Sequence, residues 1–328
     1  MPRVLMLGVG ITALSALESL ASVCEVVGVV RDTDAGQDSI DPVVKRARTL
    51  GIPVYTQVAP KEVEELALRL NPDCVVVSSY NRILQPRLLE RFPCVNVHYA
   101  PLPRYRGRAN VNWAVINDEP FSAITIHLIS AGLDAGNILF QQMIPIHENT
   151  TVTDLYESLN AIQREVLGTT VLRMLDGYAG EPQCEADATY GCSRNPEDGE
   201  IAWQTSTREI YCLIRGLTAP FPGAYTYFQG RRLIIWQAEP LKDPPSYAGR
   251  IPGRVVNVSR ERGYVDVLTG DGVLRIHEVE LEGEERTMAA KVVASVRASL
   301  GLRTVDLLDR IRELEQQIAA ISAHTVIS

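Results

Sequence analysis

Apolar and polar positions follow two alternating patterns along the first half of the chain. Short apolar runs, rich in β-branched residues, alternate with segments in which apolar residues recur every three or four positions. The runs predict buried strands and the segments predict helices, and this alternation is typical of a Rossmann-like α/β domain with a parallel sheet. The predicted strands are Arg3–Leu7, Glu25–Val30, Cys74–Ser78, Cys94–Val97 and Ser122–Ile129, and the predicted helices are Thr12–Ala21, Pro42–Leu50, Lys61–Leu70 and Thr151–Leu175.

The pattern changes near residue 190. A polar stretch with turn dipeptides is followed by a short helix at Arg208–Arg215 and then by short β-branched runs. We therefore expect a second fold unit, a small OB-like β-barrel, and assign residues 1–190 to the α/β domain, 191–302 to the barrel and 303–328 to a C-terminal helix or tail. The predicted barrel strands are Arg232–Trp236, Arg254–Val258, Tyr264–Leu268 and Val273–Val279.

The tail has apolar residues at alternating spacings of four and three, which is the seam of an amphipathic helix. Two interpretations stay open, namely packing against the chain's own barrel and self-association into a homodimer. The seam residues are Leu307, Ile311, Leu314, Ile318 and Ile321.

Composition narrows the class of protein. A chain of 328 residues can form two domains, and its net charge of −8 disfavours a non-specific polyanion binder. The six cysteines form no Cys-x-x-Cys pair, which favours reduced thiols in a cytoplasmic protein and gives no support for a metal site. No run of about 18 apolar residues predicts a membrane span, and the first residues lack a signal-peptide pattern.

The residues after the first strand favour a nucleotide-binding enzyme. Gly8-Val9-Gly10-Ile11-Thr12-Ala13 has the spacing of a dinucleotide fingerprint, with Asp32 near the end of the next strand. Taken alone, this motif indicates an NAD-dependent enzyme, which we keep as an alternative.

A second set of residues favours acyl transfer. Asn96 and His98 end one apolar run, and Asp134 follows the next. In an α/β sheet, side chains at strand ends meet in one crevice. Histidine moves protons near neutral pH, a carboxylate orients it, and an amide can donate to a developing oxyanion. We therefore predict Asn96, His98 and Asp134 as the catalytic residues.

The stretch around these residues resembles the folate-dependent formyltransferases. The family's signature is Asn-x-His, then a Leu-Pro-x-Tyr-Arg-Gly-like loop, then Asp-(Thr/Ala)-Gly, which match Asn96 to His98, Leu102 to Gly107 and Asp134 to Gly136. Pro222-Gly223-Ala224-Tyr225 resembles the start of the family's C-terminal domain. Ala100 departs from the pattern, since many relatives have Ser there.

The resemblance implies a formyltransferase that uses 10-formyltetrahydrofolate and no metal. Some of the residues implied as ligand contacts have a structural alternative: Ile83 and Leu84 could be ordinary core residues instead of folate contacts, and Arg106 could be a structural anchor instead of a substrate contact. The implied folate contacts are Tyr80, Asn81, Arg82, Ile83, Leu84, Ile129, Leu133 and Asp134, and the implied substrate loop comprises Tyr99, Arg104, Tyr105, Arg106 and Gly107.

The charge of one segment bears on which amine accepts the formyl group. The segment from Arg31 to Asp41, where the tRNA enzymes of the family have a basic loop, contains four Asp and one Arg. Phosphate binding needs cations, so we expect no tRNA acceptor. Arg106-Gly107-Arg108-Ala109 and Asn112-Trp113 resemble the amino-sugar formyltransferases of the family, and this resemblance implies a nucleotide-linked amino sugar as the acceptor. The alternatives are a hydroxyornithine-type amine, methionyl-tRNA, and a catalytically silent folate-binding subunit.

Overall fold

The computed structural model describes residues 1–31, 41–56 and 58–325, with the side chains of Pro60 and of residues 319–325 left undescribed. The chain divides into two compact units. The first comprises Met1–Ala114, Glu119–Thr150 and Asp154–Ser193, and the second comprises Val115–Asp118, Thr151–Thr153 and the residues from Arg194 onward.

The first unit is built on a seven-stranded sheet. Its strands are β1 (Arg3–Leu7), β2 (Glu25–Arg31), β3 (Val54–Thr56), β4 (Cys74–Ser78), β5 (Cys94–His98), β7 (Phe121–Leu128) and β8 (Ile138–Pro145). The order across the sheet is β3-β2-β1-β4-β5-β7-β8. The first five strands are parallel, whereas β7 is antiparallel to both β5 and β8. The α/β fold is therefore confirmed, with a mixed sheet in place of a fully parallel one.

Helices connect and cover these strands. They are α1 (Gly10–Ala21), α2 (Pro42–Thr49), α3 (Pro60–Leu70), α4 (Pro86–Arg91), α5 (Asn110–Ile116) and α6 (Val152–Leu175). Proline in the first turn of α2, α3 and α4 fixes a helical φ where no backbone donor is needed. A short parallel pair, β6 (Arg106–Gly107) with β9 (Tyr190–Gly191), ties the end of this unit to the middle of it.

One buried cluster shows how sequence pattern becomes packing. Val27, Val63, Val75 and Leu88, from β2, α3, β4 and α4, are each less than a tenth exposed and pack in one cluster. Burying a side chain of this size stabilises the fold by about 1.5–3 kcal/mol. The apolar runs of the sequence are therefore the strands that carry this core.

The second unit contains an antiparallel sheet and a helix. The helix is α7 (Thr207–Leu217), and the strands are β10 (Ala224–Phe228), β11 (Arg231–Pro240), β12 (Val255–Ser259), β13 (Tyr264–Leu268), β14 (Val273–Leu281) and β15 (Thr287–Met288). The order is β10-β11-β14-β13-β12, and β15 pairs with β14. Ser206 caps α7, since its hydroxyl accepts from the Glu209 N–H at 3.2 Å while the Glu209 carboxylate accepts from the Ser206 N–H at 2.9 Å.

Two further helices complete this unit, α8 (Ala289–Val292) and α9 (Thr304–Thr325). The side chains of α8 are partly buried in the core of the sheet, whereas the described side chains of α9 are mostly exposed. The predicted tail helix is therefore confirmed as a helix. In the described part of the chain, no helix is both long and apolar enough to cross a membrane.

Candidate functional site

Strand register brings two predicted residues, Asn96 and His98, together with one that was not predicted, His127. Asn96 of β5 lies directly opposite His127 of β7, and His98 lies opposite Thr125. Residues two apart on a strand point to the same face, so Asn96, His98 and His127 share one face of the sheet. The ring centroids of the two histidines are 6.2 Å apart.

Asp134 reaches this face by a different route from the one we predicted. Because β7 is antiparallel to β5, its last residues lie beside the beginning of β5, and Ile129 donates its N–H to the Cys94 carbonyl at 2.7 Å. The loop after β7 then folds back over the sheet. Its Asp134 carboxylate lies 3.5 Å from Nδ1 of His98 and accepts the Gly107 N–H at 2.9 Å. The three predicted residues meet on a sheet face, not at a common strand edge.

Two features hold that loop in position. Gly136 packs so closely on the end of β7 that a Cβ there would lie 1.8 Å from the Leu128 carbonyl oxygen, which excludes any other residue without a backbone shift. Gln183 donates its side-chain N–H groups to the carbonyls of Asp134 and Gly136, at 2.8 and 2.7 Å. Asp134 itself has a positive φ of 47°, an uncommon conformation for a residue with a side chain.

The tautomer of His98 is set by a backbone carbonyl. Nε2 donates to the Tyr105 carbonyl at 2.8 Å, and since a carbonyl can only accept, the proton is on Nε2. Nδ2 of Asn110 also lies 3.0 Å from Nε2, but it has another acceptor in the Gly107 carbonyl at 3.1 Å. The neutral ring therefore presents its Nδ1 lone pair to the Asp134 carboxylate. A proton arriving at Nδ1 would be held by both groups.

Burial and charge determine the ionisation of this pair. Burial lowers the pKa of His98 below its ordinary value of 6.5, and the negative charge of Asp134 opposes that shift. Burial acts to raise the pKa of Asp134, but contacts with both histidines and the Gly107 N–H outweigh it and lower the pKa to about 2. At neutral pH the site therefore contains an ionised carboxylate beside a neutral imidazole.

His127 fixes the amide of Asn96. Nδ1 of His127 donates to the Leu128 carbonyl at 2.8 Å, so the lone pair of the neutral ring is on Nε2. Nδ2 of Asn96 donates to that Nε2 at 3.2 Å and to Oδ1 of Asp134 at 3.4 Å. Both hydrogen bonds are longer than the usual value of about 2.9–3.0 Å, so an incoming acceptor can compete for either hydrogen.

The predicted substrate loop divides into anchors and exposed side chains. Tyr99 is buried, and its hydroxyl donates to the Asn160 side chain of α6 at 2.8 Å, so this residue of the predicted substrate loop packs in the interior. Arg106 is only 1 % exposed and donates to the side chains of Gln183 and Glu185, which supports the anchor interpretation. Arg104 and Tyr105 both bind the carboxylate of Glu119, and the Gly107 backbone faces Asp134.

The predicted folate loops contain both exposed and buried apolar side chains. Ile83 is 86 % exposed and Leu133 is 59 % exposed, whereas Leu84 is buried in the core, as the packing alternative predicted. Tyr80 and Ile129 are half-buried against the same cluster. The remaining predicted contacts, Asn81 and Arg82, are exposed, and the Asn81 carbonyl accepts from Arg108 at 2.7 Å.

Sequence analysis did not single out His127 or Gln183. His127 is a polar residue within the apolar run of β7, only 1 % exposed, and a buried ionisable residue inside a strand was the signal available for it. Gln183 lies in an irregular segment with no periodicity, and only the folded chain brings it behind the Asp134 loop.

The N-terminal glycine motif is filled by the chain itself. A Cβ at Gly8 would lie 1.9 Å from the Ser78 carbonyl oxygen, so this glycine allows β1 and β4 to pack closely. At the start of α1, the Gly10 N–H donates to the Asp41 carboxylate at 3.2 Å, in the position where a dinucleotide phosphate would bind. This arrangement argues against the NAD alternative. Asp32 and the acidic segment up to Ile40 lie outside the described residues.

Sequence comparisons identify the family. The "Formyl transferase" profile matches residues 23–171, and the "Formyl transferase, C-terminal domain" profile matches residues 194–297. A methionyl-tRNA formyltransferase of Sorangium cellulosum is 34% identical over 310 residues, which is 92% of this chain and 98% of that protein. One of Geobacter metallireducens is 35% identical over 85% of this chain and 90% of its own. The chain belongs to the folate-dependent formyltransferase family and is an enzyme of that class.

Solved structures have the same fold. The N-formyltransferase of Helicobacter canadensis, solved with folinic acid and dTDP-3-aminofucose, matches with a TM-score of 0.65 and 22% identity, over 88% of this chain and 100% of its own. HypX of Aquifex aeolicus, solved with tetrahydrofolic acid, matches with a TM-score of 0.63 and 17% identity over 90% of this chain. This chain spans 47% of the length of HypX.

The described residues give no alternative site for metal-dependent chemistry. Among residues 1–31, 41–56 and 58–325, no group of three or more His, Cys, Asp or Glu side chains is arranged to hold a metal ion. The six cysteines are all free thiols in the structure.

Proposed function

We propose that the enzyme transfers a formyl group from 10-formyltetrahydrofolate to a primary amine, with Asn96, His98 and Asp134 as its catalytic residues. The observation that carries this proposal is the neutral imidazole of His98 held against an ionised Asp134 on the face where Asn96 lies. The co-substrate supplies the formyl group. The exposed apolar side chains of Ile83 and Leu133 are suited to contact a flat pterin ring. Leu133 directly precedes Asp134, and the loop that contains Ile83 is joined to Arg108 through the Asn81 carbonyl.

His98 accepts the proton that the amine must lose on attack. The proton binds at Nδ1, and the Asp134 carboxylate stabilises the imidazolium through the contact at 3.5 Å. Positioned acid–base groups of this kind contribute about 10²–10⁴-fold to the rate. The same proton is then available for the leaving folate nitrogen.

Asn96 donates to the oxyanion that develops on the formyl oxygen. It does so by giving up its hydrogen bond to Asp134, which at 3.4 Å is the longer of its two. One donor of this type is worth about 3–4 kcal/mol in other enzymes. His127 is a positioning residue, because it accepts the second amide hydrogen and so fixes the direction of the first.

The leading acceptor is methionyl-tRNA, which differs from the nucleotide-linked amino sugar that the sequence analysis favoured. The support is the set of relatives with that name, of which the one from Sorangium cellulosum aligns over nearly its whole length, including the second unit. The N-formyltransferase of Helicobacter canadensis also aligns over its whole length, but at 22% identity against 34% for the Sorangium cellulosum protein, so the higher identity carries the preference. The net charge of −8 opposes this acceptor, because tRNA binding needs cations to neutralise its phosphates.

A second candidate acceptor is a nucleotide-linked amino sugar. The observation that favours it is that two arginines of the second unit are paired with carboxylates, Arg231 with Glu284 at 2.8 Å and Arg275 with Asp266 at 2.8 Å. Paired arginines neutralise few phosphates, and the chain has a net charge of −8. A small acceptor requires far fewer phosphate contacts than a tRNA.

Parallel assays with each acceptor distinguish the two candidates. The purified enzyme is given 10-formyltetrahydrofolate and either methionyl-tRNA or a panel of dTDP-linked 3- and 4-amino sugars, and formylated product is measured by mass spectrometry. Formylation of methionyl-tRNA that falls steeply with added salt supports the first acceptor. Formylation of a sugar alone replaces it with the second. A hydroxyornithine-type amine is assayed in the same way, and if none of the three acceptors is formylated while folate binds, the proposed activity is wrong and the silent folate-binding subunit is favoured.

A further inference from the structure

Helix α9 exposes a continuous apolar row to solvent. Leu307, Ile311, Leu314 and Ile318 are 45%, 50%, 40% and 63% exposed. Leu308 beside them is 46% exposed, whereas the apolar side chains of the sheet in the same unit are buried. These side chains do not pack against the described part of their own unit, which removes the intramolecular interpretation of the seam. The side chain of Ile321, the last seam residue, lies outside the described residues.

The row has the residue types of one particular assembly. Its spacing places Ile311 and Ile318 at the a positions of a heptad repeat and Leu307 and Leu314 at the d positions. β-branched residues at a with leucine at d favour a two-stranded parallel coiled coil over trimers and tetramers. The helix has 22 residues, about 33 Å in length, which gives three heptads.

The flanking charges favour the same arrangement. In the same heptad, Arg310 is a g position and Glu315 is the following e position, five residues later. Parallel helices bring g of one strand to that e of the other, so two Arg310–Glu315 ion pairs form across a symmetric dimer. An antiparallel pairing centred on the seam places Leu308 opposite Glu315. Arg310 now contacts Glu313 of its own helix at 3.0 Å, with both side chains about 60% exposed, a pair that contributes little stability.

We propose that α9 is a dimerisation element that pairs in parallel with α9 of a second copy of this chain. A single polar-faced helix of this length is marginal in water, and pairing buries the row on both copies. The helix follows the residues matched by the two family profiles, the second of which ends at residue 297, so the shared transferase fold assigns it no role. The inference does not depend on which amine is the acceptor.

The first test is the oligomeric state of the full-length protein, measured by sedimentation equilibrium. We expect a monomer–dimer equilibrium whose dissociation constant rises by about tenfold or more in Ile311→Lys, which corresponds to about 1.4 kcal/mol. The matched control is Gln316→Lys, which adds the same charge at an f position on the opposite side of the helix. A protein that is monomeric at every concentration, or a dimer equally stable in Ile311→Lys and Gln316→Lys, overturns the proposal.

The second test is the orientation of the two helices. In a parallel pair Leu307 faces its own copy, so Leu307→Cys should form an intermolecular disulfide on mild oxidation that the unaltered chain does not form. Arg310→Glu should weaken the dimer, and the double variant Arg310→Glu with Glu315→Arg should restore it. If Leu307→Cys gives no cross-link and the double variant is as weak as the single one, the parallel arrangement is wrong. If the larger species disappears once a co-purifying protein is removed, the partner of α9 is that protein and pairing with a second copy is wrong.

Discussion

Two aspartates of the first unit, Asp41 buried and Asp134 partly buried, have similar backbone contacts but different basic partners. Asp41 accepts the N–H groups of Gly10 and Val43, and it pairs with Arg31 at 2.7 Å. Asp134 accepts the N–H of Gly107 and lies beside His98 and His127. Arginine keeps its charge at every accessible pH, whereas histidine gains or loses a proton near neutrality. The identity of the cationic partner therefore separates a structural carboxylate from one suited to proton transfer.

The largest expected effect is the loss of turnover in His98→Ala. Removing the proton acceptor should lower kcat by about 10²–10⁴-fold, because the remaining carboxylate of Asp134, whose pKa the Gly107 N–H acts to lower, is too weak a base near neutral pH. The measurement is single-turnover formylation of whichever acceptor the unaltered enzyme uses. Circular dichroism serves as the control for the fold. Retention of more than about a tenth of the rate is incompatible with the assigned role.

The same comparison predicts a pH dependence for the unaltered enzyme. The pKa of His98 is lowered, so the neutral, proton-accepting form persists below pH 6.5 and is lost only as the pH falls through that lower value. We expect kcat to decline on the acid side at a pH below 6.5. The negative charge of Asp134 raises the pKa of His98, so in Asp134→Asn the His98 imidazole should titrate at a still lower pH by NMR. A titration shifted upward would contradict the ion-pair geometry.

A smaller effect is expected from changing the positioning residue. His127→Met places an apolar side chain of similar size in β7 and removes the acceptor of the Asn96 amide, which lies at 3.2 Å. We expect kcat to fall by about tenfold, equivalent to about one net hydrogen bond, with the KM for folate nearly unchanged. His127→Gln is the matched control, since its carbonyl can accept the same amide hydrogen and should restore part of the rate. Equal losses of kcat in both variants would assign His127 to packing alone.

The smallest effect on turnover is expected at the other aspartate. Asp41→Asn removes the carboxylate that pairs with buried Arg31 and should destabilise the fold by about 3–5 kcal/mol. The kcat of the protein that remains folded should stay within about twofold of the unaltered enzyme, because Asp41 contacts none of the proposed catalytic residues. Thermal unfolding and active-site titration with a folate analogue measure the two quantities separately. A loss of kcat as large as that of His98→Ala would remove the distinction between the two aspartates.

Sequence pattern predicted the local elements well because their cause is local. The apolar runs became β1, β4 and β13 with unchanged bounds, and β5 with one residue added. Short elements with weak patterns were missed, among them β3, α4 and α5, since three to seven residues give too little periodicity to detect. The two-unit organisation is visible as a change from helical to alternating periodicity near residue 190.

The sequence by itself determined the α/β class, the antiparallel second unit and the family, since periodicity and the Asn96, His98 and Asp134 motif are properties of residue order. Only the tertiary structure decided how those residues meet. The antiparallel register of β7 placed His127 opposite Asn96, and the folded-back loop brought Asp134 over the sheet face. Contacts between residues distant in sequence depend on strand direction and register. Neither quantity can be read from the local pattern of apolar and polar positions. At both sites an aspartate accepts a glycine N–H, but the tertiary structure pairs Asp41 with Arg31 and places Asp134 beside His98.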